Sequence, residues 1–174
     1  MQKRPNATTL KGGGLTLLGP ELKAGDKAPD FTCATGMKDT LSLAQTGGKA
    51  RMFSVVPSLD TPVCSMQTKK FNDEVGGLKD KVVCYTISLD MPFAQKRFCS
   101  AEHIGNMQTL SDVHNHSFGQ NYGVLIEGLP LPLLSRAVFV VDRNGTITYA
   151  EYVPEVTSHP NYDAALAALK SAVA

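Results

Sequence analysis

The sequence predicts an α/β fold, with a central mixed sheet flanked by helices and a β-hairpin at the N-terminus. Three observations carry this reading. Arg51 to Val56 (RMFSVV) and Lys81 to Ser88 (KVVCYTIS) are nearly continuous runs of apolar and β-branched residues, the pattern of strands buried on both faces. Between them lies a stretch with helical spacing, which makes one βαβ unit. Farther on, Ala137 to Val141 and Thr146 to Val153 flank the tight turn DRNG (Asp142 to Gly145) as antiparallel partners, and a helical stretch follows.

Taken in order, Thr8 to Leu18 reads as a hairpin or arm turning at Gly12, Gly13 and Gly14. KAPDF (Lys27 to Phe31) leads into an extended piece at Thr32 to Ala34, and a second follows at Thr40 to Leu43 after the turn residues Gly36 and Asp39. The strand Arg51 to Val56 ends at Pro57, which has no N–H to give a sheet ladder. Thr61 is a suitable N-cap, Pro62 suits the first helical position, and Cys64 then falls on the third. Helical spacing sets Cys64, Phe71 and Val75 on one stripe and leaves Lys69, Lys70, Asp73 and Glu74 to face water, with the thiol partly exposed. After the strand Lys81 to Ser88, Asp90 is placed to cap a second helix with Pro92 in its first turn and an apolar face of Phe93, Ala94, Phe98 and Ala101; Cys99 sits in that helix. Gly105 to Ser135 has a weaker pattern: a strand at Met107 to Leu110, a short helix near Ser117 to Tyr122 and a Leu/Pro-rich loop from Leu129 to Leu134. A last helix begins after Pro160 with Tyr162, Leu166, Leu169 and Val173 on one face. The order βαβα, an insertion, then ββα is the plan of a thioredoxin-like sheet. Ligands of such sheets bind at strand C-termini, where Cys64 falls.

A chain of 174 residues suits one domain, residues 1–174, with 1–20 as its hairpin arm. The net charge of +1 gives no electrostatic case for nucleic acid or acidic membranes as partners. No apolar stretch reaches membrane-spanning length, and MQKRPNATTLKGGG has basic residues without an apolar core behind them, so a cytoplasmic location is expected. In that compartment Cys33, Cys64, Cys84 and Cys99 point to thiol chemistry rather than to structural disulfides.

The chemistry centres on PSLDTPVC, Pro57 to Cys64. A thiolate is the form of cysteine that attacks electrophiles, and a helix N-terminus favours the anion through unpaired N–H groups and the helix dipole. The same spacing fits a buried structural cysteine, because free cysteines are among the most buried residues, and the local pattern leaves both readings open. His103, His114 and His116 lack a paired cysteine or HExxH spacing and read as solvated loop, while the DRNG turn needs no cation; neither a metal nor a cofactor is called for.

Several segments together resemble the peroxiredoxins, and within them the bacterial thiol peroxidases of the atypical two-cysteine type. They are APDF (Ala28 to Phe31), PSLDTPVC, KKFN (Lys69 to Asn72), DMPFAQKRFC (Asp90 to Cys99), LSD (Leu110 to Asp112), SRAVFVVD (Ser135 to Asp142) and EYVPEVTSHPNY (Glu151 to Tyr162). The family's Pro-x-x-x-Thr-x-x-Cys pattern falls on Pro57, Thr61 and Cys64, its arginine on Arg136 and its second cysteine on Cys99. The resemblance implies that Cys64 attacks the peroxide and that Cys99 of the same subunit resolves the product as a Cys64–Cys99 disulfide. It also implies a homodimer, recycling by thioredoxin or a similar dithiol, and a preference for organic hydroperoxides over hydrogen peroxide.

Elementary chemistry fits those roles. Arg136 is a permanent cation suited to a thiolate, and Thr61 with backbone N–H groups can hold peroxide oxygens while charge develops on the leaving group. Pro57 is suited to shielding the pocket rather than to reacting. Cys84 lies inside the KVVCYTIS strand, where movement would break the sheet, so it reads as core, as does Cys33 near an early strand. Two other functions remain: a general disulfide oxidoreductase, which lacks the usual C-x-x-C pair here, and a redox-responsive binding protein switched by the same bridge.

Overall fold

The computed structural model describes residues 1–78 and 80–173. The hairpin of β1 (Lys3–Leu10) and β2 (Gly13–Leu18) opens the chain, and the short antiparallel pair β3 (Thr32–Ala34) and β4 (Thr40–Ser42) follows. Next come β5 (Ala50–Val55), α1 (Pro62–Val75), β6 (Val82–Ser88), α2 (Pro92–Ala101) and β7 (Gln108–Ser111), in which β5, β6 and β7 run parallel. After α3 (Ser117–Asn121) and β8 (Leu125–Glu127), the antiparallel pair β9 (Ala137–Val141) and β10 (Ile147–Tyr152) leads to α4 (Tyr162–Ala172). One sheet has the order β10-β9-β5-β6-β7-β3-β4, and a small one the order β1-β2-β8. The mixed sheet expected from sequence is therefore present, with β9 antiparallel to β5 on the side opposite β6.

Alternation along the strands divides the core between two faces. Phe53 and Val55 of β5 join Phe31, Phe118, Tyr122 and Phe139 in an aromatic cluster, in which Phe118 and Tyr122 stack with ring centroids 4.1 Å apart. Met52, which precedes Phe53 in β5, faces the other side and packs with Phe71 and Val75 of α1 and Leu166 and Leu169 of α4. Cys84 lies on this second face, buried in β6, and its thiol is pushed up to about 12 by burial. Cys33 of β3 belongs to the aromatic face, and burial raises its thiol well above the ordinary range. The reading of both as core cysteines matches their positions.

Several local expectations need correction. The hairpin begins at Lys3 rather than Thr8 and turns at Lys11 and Gly12, while Gly13 and Gly14 are already in β2. Both turn residues have positive φ, +50° and +84°, the geometry whose twist matches that of paired strands. Inside the Gly105 to Ser135 segment the sequence pattern does not reveal β8, which pairs with β2. Its three residues are too few to show a period.

The second helix is capped differently from expectation: Met91, not Asp90, is the N-cap of α2, and its side chain makes no capping bond. The expected apolar face holds only in part: Ala94 and Phe98 are half-buried and Phe98 packs inward, but Phe93 is 55% exposed and Ala101 is exposed, whereas Pro92 and Gln95 are buried. Gln95 turns inward because its amide donates to Ser88 Oγ (3.1 Å) and to the Leu110 carbonyl (2.9 Å). Burial of a polar side chain is tolerated when its hydrogen bonds are met. In α4 the expected face is observed: Leu166 and Leu169 are buried, Tyr162 and Val173 pack at the margin, and Asn161 caps the helix by accepting from Ala164 N (3.0 Å).

Candidate active site

The loop from Val56 to Thr61 leaves the C-terminal end of β5 and delivers Cys64 to the first turn of α1. Thr61 is in the N-cap position with extended backbone (φ −105°, ψ 149°), and Pro62 follows it inside the helix, as the sequence predicts. Its hydroxyl makes no backbone cap. Thr61 Oγ1 instead lies 2.7 Å from Cys64 Sγ and 2.9 Å from the Ser58 carbonyl oxygen. A hydroxyl has one hydrogen for these two acceptors. With a thiolate it is available to the sulfur; with a thiol, Cys64 can donate to Thr61 while Thr61 donates to Ser58.

Cys64 is fully buried, which corrects the expectation of partial exposure. Val56, Leu59 and Phe98 of α2 pack around it. The second polar group reaching the sulfur is Arg136, whose Nη2 donates at 3.2 Å. A lone arginine is more often a surface residue, yet Arg136 is 2% exposed. It is fixed on neutral acceptors: Nε donates to the Val156 carbonyl (2.9 Å) and Nη1 to Gln67 Oε1 (2.9 Å). Among the described residues no carboxylate pairs with it. Its positive charge is thus oriented without being cancelled and is directed at the sulfur.

Gln67 is a site residue the sequence reading passed over. It follows Cys64 by one helical turn, is fully buried, and passes a bond from Nε2 to Ser54 Oγ of β5 (2.7 Å), which ties the guanidinium to the sheet. The signal that could have found it was its position on the Cys64 stripe. The Val156 carbonyl had no such signal, since backbone acceptors leave no trace in residue type.

Thr61 and Arg136, the two polar groups that reach the sulfur, also border a cavity of about 240 Å³. Its walls are largely apolar, with Pro57, Val63, Leu133 and Val156, while Thr61 and Arg136 supply polar groups. Leu10 from the end of β1 completes the wall, so the hairpin takes part in the site. It is held there by Thr9 N–H to the Pro154 carbonyl (2.9 Å), Val156 N–H to the Thr9 carbonyl (2.8 Å) and Gly12 N–H to Glu155 Oε1 (2.9 Å). Hydrogen bonds from the Thr157 backbone and hydroxyl, and from Gly12 and Thr9, hold the Glu155 carboxyl down to about 2.

Cys99 lies apart from this cluster. Both it and Cys64 are free thiols. Phe98 packs on the Cys64 cluster, and the next helical position is turned by about 100°. Cys99 accordingly meets Thr109 of β7, whose hydroxyl partly opposes the upward push that burial gives the thiol. The sequence-predicted residues Pro57, Thr61, Cys64 and Arg136 come together; Cys99 does not.

An arginine held on neutral partners should be hard to replace. Arg136→Lys keeps the charge but loses the fork that meets Val156, Gln67 and sulfur at once, and kcat/KM for hydroperoxide is expected to fall by about 10²-fold. Steady-state peroxide consumption checks this, and a loss under about three-fold would contradict it.

A thioredoxin-like sheet whose parallel strand feeds a helix-start cysteine, with a threonine hydroxyl and a guanidinium on its sulfur, defines the class of thioredoxin-fold thiol proteins. Within that class the chain belongs to the Redoxin family, whose model matches residues 23–166. It is 52% identical over 165 residues to the thiol peroxidase of Bacillus subtilis, covering 95% of this chain and 97% of that protein. The crystal structure of a peroxiredoxin-like protein from Aquifex aeolicus is 41% identical and superposes with a TM-score of 0.87 over 97% of this chain and 98% of that one. A thiol peroxidase from Chromobacterium violaceum shares the fold at 20% identity, with a TM-score of 0.84 over 94% and 95% of the two chains.

Proposed function

We propose that the chain acts as a thiol-dependent peroxidase through Cys64, with Cys99 as its resolving partner. The observation that carries this is the buried Cys64 sulfur with Thr61 Oγ1 at 2.7 Å and Arg136 Nη2 at 3.2 Å, both of which also border a cavity. The thiolate attacks the terminal peroxide oxygen; the O–O bond breaks, Cys64 becomes a sulfenic acid, and an alkoxide or hydroxide leaves and takes up a proton. Arg136 and Thr61 stabilise the charge that moves from sulfur to the leaving oxygen. Condensation of the sulfenic acid with the Cys99 thiol then releases water and forms the Cys64–Cys99 disulfide, which thioredoxin or a similar dithiol reduces.

The apolar cavity walls favour organic hydroperoxides over hydrogen peroxide, because an alkyl group gains by leaving water there. No helix among the described residues is long and apolar enough to cross a membrane, and a cytoplasmic site of action fits cysteines used for thiol chemistry rather than for structural disulfides. A homodimer is the assembly the resemblance implies, and the exposed Met37, Met91, Phe93 and Val113, grouped around one shallow cavity at the root of α2, offer an apolar face to a second copy.

A thioredoxin-coupled assay tests the function. Multiple turnovers are expected with both cumene hydroperoxide and hydrogen peroxide, with the larger kcat/KM for cumene hydroperoxide. Stoichiometric consumption that stops after a single turnover would instead favour a redox-responsive binding protein, and disulfide reduction without peroxide would favour a general oxidoreductase.

A further inference from the structure

Asp90 was expected to cap α2, and its carboxylate is committed elsewhere. Oδ1 accepts from Ser58 Oγ (2.8 Å), and Oδ2 accepts from the Leu59 backbone N–H (2.8 Å) and from Ser88 Oγ (2.7 Å). Ser58 and Leu59 belong to the loop that delivers Cys64, while Asp90 stands just before the helix that carries Cys99. The carboxylate therefore joins the two segments that bear the reactive thiols.

Behind it the support is rigid. Ser88 and Ser111 end two neighbouring parallel strands and are fully buried; Ser111 Oγ donates to the Asp90 carbonyl (2.6 Å). Gln95, one turn into α2, is 1% exposed and donates to Ser88 Oγ. On the loop side, the Ser58 carbonyl accepts from Thr61 N–H (3.2 Å) and lies 2.9 Å from the Thr61 hydroxyl that also reaches the sulfur. The other charged link between loop and helix, Asp60 to Arg97 at 3.9 Å, is more than 70% exposed on both sides and contributes little. Hydrogen bonds to an ionised carboxylate are about twice as strong as neutral ones, so Asp90 is the principal tie.

We propose that Asp90 is a positioning residue that locks the Cys64 loop to the root of the Cys99 helix and so sets how oxidised Cys64 divides between disulfide and sulfinic acid. The proposal rests on the reading of Cys99 as the resolving thiol. Cys99 points toward Thr109 while Phe98 covers Cys64, so condensation requires the helix, the loop or both to loosen. While the lock holds, the Cys64 sulfenic acid stays in the pocket, where a second hydroperoxide oxidises it to sulfinic acid and is itself reduced to an alcohol. Once it opens, the sulfenic acid meets Cys99, loses water and is protected as the disulfide.

The test treats wild-type protein, Asp90→Ala and Ser58→Ala with increasing cumene hydroperoxide and measures, by mass spectrometry, the ratio of Cys64 sulfinic acid to Cys64–Cys99 disulfide. Stopped-flow kinetics give the rate constants for peroxide attack and disulfide formation. In Asp90→Ala the ratio is expected to fall about ten-fold as disulfide formation quickens, the scale of one charge-assisted hydrogen bond, while peroxide attack slows. Ser58→Ala, which leaves the carboxylate and its sheet-side bonds in place, should shift the ratio in the same direction by a smaller factor; it decides the matter alone if Asp90→Ala does not fold. A merely structural role would lower thermal stability without moving this partition. An unchanged or raised ratio in a folded variant overturns the proposal while the two-cysteine cycle stands. Absence of the Cys64–Cys99 bridge in the wild-type protein overturns both.

Discussion

Replacing Cys64 with serine is expected to abolish peroxide consumption, with a loss of at least about 10³-fold in thioredoxin-coupled turnover. The substitution keeps the shape of the side chain and leaves Thr61 and Arg136 as partners for the new hydroxyl, so the fold should survive. What disappears is a nucleophile that ionises readily and whose sulfur can accept oxygen. A serine hydroxyl stays protonated near neutral pH even beside a guanidinium, and its oxygen is a poor attacker of another oxygen. Coupled turnover and thermal melting on the same preparation separate the two effects, and a folded variant that retains activity would remove Cys64 from the centre of the reaction.

For Cys99→Ser the expected result is a burst of peroxide reduction equimolar with the protein, followed by a stall. The first attack depends on the Cys64 cluster, to which the Cys99 thiol contributes nothing: it faces Thr109, and only its neighbour Phe98 packs on Cys64. Recycling does depend on it, because thioredoxin acts on a disulfide and the variant can form none within the pair. Trapped sulfenic acid should then advance to sulfinic acid with each added dose of peroxide. Rapid-quench measurement of the burst against steady-state turnover checks this; undiminished turnover with thioredoxin would take the resolving role from Cys99. Cys84 is an unsuitable substitute, since it is buried within β6, paired on both sides by β5 and β7.

Much of the fold and part of the site are legible in the amino-acid sequence alone. Strands β5, β6 and β9 stand out as apolar runs because they are buried on both faces, and α1 stands out because Thr-Pro marks a helix start whatever surrounds it. Motif resemblance assigns Arg136 to the same site as Cys64 across 72 positions of sequence. Less is visible where residue type does not reveal a partner. Asp90 has the composition of an N-cap and lies two residues before a proline-opened helix, yet two serines and a backbone N–H outcompete the cap. Gln67 looks like one more polar residue on a surface helix and is in fact fully buried, because Ser54 and Arg136 satisfy both ends of its amide. Partial exposure of Cys64 is the natural inference from a first helical turn; Val56, Leu59 and Phe98 close over it instead.

By itself the sequence determined the order of most of the elements and the helix start that holds Cys64. These depend on local periodicity, cap chemistry and side-chain type, which adjacent residues carry among themselves. Only the tertiary structure decided that Arg136 would meet the sulfur with no carboxylate among the described residues to neutralise it, that Leu10 of the hairpin would wall the cavity, that Cys99 would face away, and that Asp90 would fasten the Cys64 loop to the Cys99 helix. Each is a contact between distant segments in which a donor or apolar group had several chemically suitable partners. Which one it met was set by how sheet, helices and hairpin pack.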